Sequence, residues 1–106
     1  KSLEKFKDSV RQATRRTSGQ SIEVIIARLR PMMRGWFNYF CHSRRWVFPT
    51  LDKWIRGRLR SILRRRHGLR GRSRGRDHQR WPNSAFTALG YFSLEAAWKA
   101  AKSLQR

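Results

Sequence analysis

Apolar positions along the chain recur at intervals of three and four, the period of a helix with one buried face. Leu3, Phe6, Val10 and Ala13 open the pattern and predict a helix over 2–15, with Ser2 as its N-cap. The stretch RRTSGQ, residues 15–20, breaks it at Gly19. Ser21 is the next N-cap. From it Ile22, Ile25, Ile26, Leu29, Met32, Met33, Trp36, Phe37 and Phe40 form one continuous apolar stripe. Pro31 lies on the polar side of that stripe, and proline disfavours a helical residue before it. The expectation is therefore a stop at Arg30 and a restart with Pro31 in a new first turn.

The second half of that stripe, RGWFNYF (34–40), raises a question of chemistry. Its aromatics could stack on nucleobases or fill a core. Trp36, Phe37 and Phe40 continue a phase begun by aliphatic residues, which places them in the core. Tyr39 sits at the stripe's edge. Arg34 and Asn38 point away, and Gly35 predicts close approach of another helix.

A third helix is expected from Pro49 to Arg66, with Phe48, Leu51, Trp54, Ile55, Leu59, Ile62 and Leu63 on one face. Lys53, Arg56, Arg60 and Arg64 step along the other side as a row of cations. The segment HGLRGRSRGRD, 67–77, lacks apolar periodicity and reads as a flexible basic loop. Beyond it, WPN (81–83) introduces a short helix through Ala85, Phe86 and Leu89, stopped by Gly90. Ser93 caps a last helix whose Leu94, Ala97, Trp98, Ala101 and Leu104 share a face. The fold class is thus all-α: one small domain over 1–106, of about five helices, with an Arg/Gly-rich loop.

Charge changes the picture of the polar faces. Twenty-six Lys and Arg against six Asp and Glu give a formal net charge of +20. Such an excess repels itself and calls for a polyanionic partner. Arginine predominates, which suits phosphate forks better than lysine's point charge. The row on the third helix is accordingly expected to bind phosphates rather than be merely solvated. None of its four members lies on the apolar stripe, so none is expected to matter for folding. The candidate RNA ligands are Arg34, Lys53, Arg56, Arg60, Arg64 and Arg65, with Arg70, Arg72, Arg74 and Arg76 of the loop.

Other chemistry is thin. Cys41 is alone, so neither an internal disulfide nor a cysteine-based metal site can form, and a cytoplasmic setting is expected. No apolar run is long enough for a membrane span or signal peptide, so no membrane partner is expected. The chain starts without Met, in mid-pattern, as a piece of a longer protein would. No cofactor, metal or catalytic constellation is expected. Asp77, His78 and Asn83 are the weak basis of a rival reading as a metal-dependent nuclease; hydrogen bonding at the loop's end is the plainer role. A third reading is a structural module that packs on a polymerase without touching nucleic acid.

Three ordered segments resemble one family. LRPMMRGWFNYFCHS (29–43) is similar to the hallmark of the maturase-specific region of group II intron reverse transcriptases. LDKWIRGRLRSILRRR (51–66) resembles the next helix of that region, and DHQRWPNSAFTALGYFSLEAAW (77–98) a tail of many bacterial members. The matching positions are Pro31, Arg34, Gly35, Trp36, Tyr39 and Phe40, then Leu51, Asp52, Trp54, Ile55 and Arg58, then Trp81, Pro82 and Asn83. Arg30 departs from the Asn usual before that proline. The resemblance implies a helical thumb and maturase region, C-terminal to polymerase fingers and palm, that grips structured intron RNA and clamps a template–primer duplex. The polymerase aspartates would lie in the palm, outside this chain, and the family's zinc-bearing endonuclease region has no counterpart here.

Overall fold

The computed structural model describes residues 3–41, 47–69 and 75–104. Those residues form helices and connecting turns, with no strand among them. The elements are α1 (Leu3–Ala13), α2 (Ile22–Phe40), α3 (Phe48–Arg66), α4 (Asp77–Arg80), α5 (Asn83–Ala88) and α6 (Leu94–Leu104). The one-turn α4 was not expected. It follows the turn at residues 75–76, and Trp81 N–H closes it on the Asp77 carbonyl at 2.8 Å.

The apolar phase positions the long helices. Phe6, Val10 and Ala13 of α1, Ile25, Ile26, Leu29, Met33, Trp36 and Phe37 of α2, and Phe48, Leu51, Ile55, Leu59 and Ile62 of α3 are buried together. Phe86, Tyr91 and Leu94 complete this core from the C-terminal segment. Trp36 and Phe37 of the 34–40 stretch are therefore core, with Phe40 partly buried against it. Trp36 stacks on Phe6 with ring centroids 4.8 Å apart and meets Phe48 edge-on at 5.8 Å. Phe37 contacts Phe48 and Phe92. Tyr39 is exposed, edge-on to Phe40.

Three expectations fail on this framework. α2 does not restart at Pro31 but runs unbroken for 19 residues. Proline removes one donor, and the carbonyl it strands, on Ala27, is on the exposed side where water serves it. The unbroken helix keeps Met33, Trp36 and Phe37 buried on the same side as Ile25 and Leu29. Arg30 thus needs no capping ability; the cap is Ser21, whose hydroxyl accepts from Val24 N–H at 3.2 Å. Gly35 receives no helix: a Cβ there would meet nothing within 4 Å. Leu104, expected on the inner face of α6, is exposed.

Glycine is needed at two turns. Gly68, at φ 75°, follows the end of α3. Its N–H bonds the Arg65 carbonyl and Leu69 N–H bonds that of Arg64, the paired closure of a helix ended by a left-handed residue. Gly90, at φ 98°, ends α5 with the Arg30 guanidinium close by.

Candidate nucleic-acid interface

α3 carries most of the candidate residues, and its neighbours give each a different environment. Asp52, Arg56, Arg60 and Arg64 recur every fourth residue along one flank of the core stripe. The C-terminal segment packs against that flank. Arg56 lies over the Tyr91 ring, its guanidinium carbon 4.9 Å from the centroid. Its Nε is buried and finds no hydrogen-bond partner among the described residues. Arg60 is only 2% exposed. It donates from Nε to the Trp81 carbonyl at 2.8 Å and from Nη2 to Asn83 Oδ1 at 2.7 Å, and it covers Phe86. Burial, then the Arg56 charge, lowers its pKa from the ordinary arginine value, while Asp77 opposes the shift. Arg64, half-buried, forms an ion pair with buried Asp77 at 3.4 Å.

The expectation that no member of the row matters for folding therefore fails at Arg60. Arg60 is a buried fold-forming side chain, because aromatic and carbonyl groups from 21 to 26 residues downstream reach it. Its replacement cannot be neutral for folding. Arg56 and Arg64 are shared between packing and solvent, and Lys53 alone of the four is exposed.

Asp52 heads the same flank, and sequence reasoning gave it no role beyond the resemblance. Its carboxylate is buried and accepts four hydrogen bonds. Tyr91 Oη donates at 2.8 Å, Ser93 Oγ at 3.1 Å, Leu94 N–H at 3.0 Å and Glu95 N–H at 2.8 Å. Asp52 therefore caps the start of α6 from another helix, where its charge also suits the helix dipole. Ser93 assists by accepting from Ala96 N–H, as its position predicts. Burial, then the Asp52 charge and hydrogen bond, raise the Tyr91 phenol far above its ordinary pKa. A signal was available: Asp52 falls in phase with Phe48, Ile55 and Leu59, and an acid on a buried stripe must be satisfied.

On the opposite flank Arg58 closes the end of α1. Its Nε donates to Thr14 Oγ1 at 2.6 Å, and its Nη2 to the Arg11 and Thr14 carbonyls at 3.4 and 3.5 Å. A cation at a helix C-terminus is favourable there. Lys7, Arg11 and Arg58 surround the Trp54 ring at 5.4–5.9 Å. Beyond the core, Arg66 ties the carbonyls of Ser18 and Gln20.

Among the remaining candidates, Arg65 and Arg76 are exposed. Arg34 is exposed on α2 and lies over Phe92 at 5.6 Å. Arg70, Arg72 and Arg74 fall outside the described residues. The nuclease reading fares poorly in its geometry: Asp77 is taken by Arg64 and Asn83 by Arg60, while His78 is exposed. Among the described residues no three His, Cys, Asp or Glu gather as a metal would require, and no helix is long and apolar enough to cross a membrane.

A basic all-helical domain with its cations spread over several helix flanks is the class these features define. Residues 3–81 match the model of the group II intron maturase-specific domain, and the chain belongs to that family. The match ends at Trp81, so α5 and α6 lie beyond it. A comparison with curated proteins gave no match.

Proposed function

We propose that this chain is the RNA-binding maturase module of a group II intron-type reverse transcriptase. In this reading it assists folding and splicing of the intron RNA and grips a template–primer duplex beside the palm and fingers of the same cytoplasmic parent, an RNA-directed DNA polymerase. The module itself performs no catalysis. The observation that carries the reading is the net charge of +20 on a domain of this family. Lys53, Arg65, Arg76 and Arg34 are the solvent-facing ligands, with Arg56 and Arg64 contributing their outer edges and Arg70, Arg72 and Arg74 the loop. Arg60 acts by holding Trp81 and Asn83 against α3.

The test is a titration of affinity for structured intron RNA against salt. Neutralising about 6–10 phosphates gives a slope of log affinity on log salt of about −4 to −9. A slope near zero would remove phosphate contact as the basis of function.

A further inference from the structure

The end of α3 and the end of α4 meet at a cleft that phosphate binding does not explain. His67, Leu69, Arg80 and Trp81 line it, and its volume is about 470 Å³. That lies within the range of about 300–1,000 Å³ typical of small-ligand clefts. Its aromatic wall is the His67–Trp81 pair, with ring centroids 5.3 Å apart and planes inclined by 51°.

Backbone hydrogen bonds fix where the two residues of the wall leave the main chain. His67 is the last residue of the α3 closure, its N–H bonded to the carbonyls of Leu63 and Arg64. Gly68 then turns the chain and returns Leu69 to the same helix end. On the other side, Trp81 N–H bonds the Asp77 carbonyl, and the Trp81 carbonyl accepts from buried Arg60. Trp81 is half-buried and leaves part of its ring to the cleft, while His67 and Arg80 are exposed. Arg80 supplies the cation of the cleft's own lining. Arg65 and Arg76, exposed near the ends of the same two helices in sequence, carry no acidic partner among the ion pairs of the described residues.

An open aromatic platform in a cationic surround matches one ligand chemistry: a planar, electron-rich ring joined to a phosphate. We infer that this cleft binds a single unpaired nucleotide of the RNA, its base stacked on Trp81 with the inclined His67 ring against its edge and its phosphate met by Arg80. The inference rests on the RNA-binding function proposed above and adds to it a preference for unpaired bases, which a purely phosphate-binding surface lacks. Stacking of this kind tolerates any base, because every base has a π-face.

The experiment compares two RNA hairpins of equal length, one fully paired and one with a single bulged 2-aminopurine. The whole chain should bind the bulged hairpin about fivefold to a hundredfold more tightly and quench the 2-aminopurine fluorescence. Trp81→Ala should abolish the preference and the quenching while keeping the salt slope on the paired hairpin. Trp81→Phe should retain most of both, and His67→Ala should weaken them without touching the core. Circular dichroism melting of each variant separates lost stacking from lost folding, and a His67→Ala effect on a fully folded chain stands even if Trp81→Ala unfolds. Equal binding of the two hairpins by the wild type, with a steep salt slope, overturns the inference and leaves the proposed function intact. Equal binding of the two hairpins with a salt slope near zero overturns both. Bulge preference unchanged in folded Trp81→Ala and His67→Ala chains also overturns it, because the unpaired nucleotide would then be read elsewhere.

Discussion

Arg60 and Arg65 sit on the same helix, five residues apart, with the same side chain. Arg65 is exposed and meets solvent; Arg60 is sealed under the C-terminal segment with two hydrogen bonds and an aromatic ring. Helical periodicity alone separates apolar from polar positions and stops there. What divides these two arginines is what arrives from elsewhere in the chain. The carbonyl of Trp81, the amide of Asn83 and the ring of Phe86 reach the flank that carries Arg60. A guanidinium with a long apolar stem suits that position, since it fills space and satisfies carbonyls at once.

The comparison is broken most severely at Arg60. Arg60→Gln would remove the donors that serve the part-buried Trp81 carbonyl and the Asn83 side chain, and would leave the space beside Phe86 underfilled. Hydrogen bonds that involve a charged group are worth about 1.5–3 kcal/mol each, so losing both costs about 3–6 kcal/mol. In a domain of this size that lowers the melting temperature by roughly 10 °C or more. An unchanged melting curve would show that the C-terminal segment does not depend on this contact, and would return Arg60 to the class of Arg65.

Much of the fold was legible for a reason that the same comparison exposes. Apolar periodicity is a local signal, so α1, α2, α3 and the aromatic core followed from it. Ser21 and Ser93 were legible as caps because a hydroxyl just before a periodic run has one common use. Pro31 misled, because its penalty is local while the buried stripe on both sides of it is not. The site was less legible. The fates of Arg56, Arg60 and Arg64 depend on Tyr91, Phe86 and Asp77, which are 13 to 35 residues away in sequence. The His67–Trp81 cleft is likewise made by the ends of α3 and α4, two helices that no local pattern pairs.

A smaller effect is expected where the flank begins, at Asp52 and Tyr91. Tyr91→Phe removes one of four donors to the Asp52 carboxylate, a hydrogen bond to a charged group worth about 1.5–3 kcal/mol. The pH dependence distinguishes this bond from simple packing. The folded phenol has a raised pKa, so its contribution is fully present below the unfolded value near 10 and is lost as pH rises above it. Phenylalanine has no proton to lose. The stability gap between wild type and Tyr91→Phe should therefore be constant from pH 7 to 9 and narrow from about pH 10 upward. Urea denaturation at a series of pH values reads it. A gap that stays constant to pH 11 would mean that Tyr91 is not held neutral by burial beside Asp52.

The smallest effect on folding, and the sharpest on binding, belongs to the exposed cations of α3. Lys53 and Arg65 are both exposed. Their replacement by glutamine keeps helix propensity nearly constant and removes two charges from a surface that repels itself. Stability should stay within about 0.5 kcal/mol of wild type or rise slightly. If both side chains meet phosphates, the salt slope for structured RNA should shrink by about 0.7–0.9 for each, and affinity should fall alike for every RNA sequence. Arg60→Gln, studied at a temperature where it remains folded, should leave that slope nearly unchanged, because a side chain 2% exposed has no face to offer a phosphate. The two variants therefore separate a cation that holds the fold from cations that hold RNA. A slope that shrinks with Arg60→Gln and not with Lys53→Gln and Arg65→Gln would invert the assignment, and would mean that the C-terminal segment lifts from α3 when RNA binds.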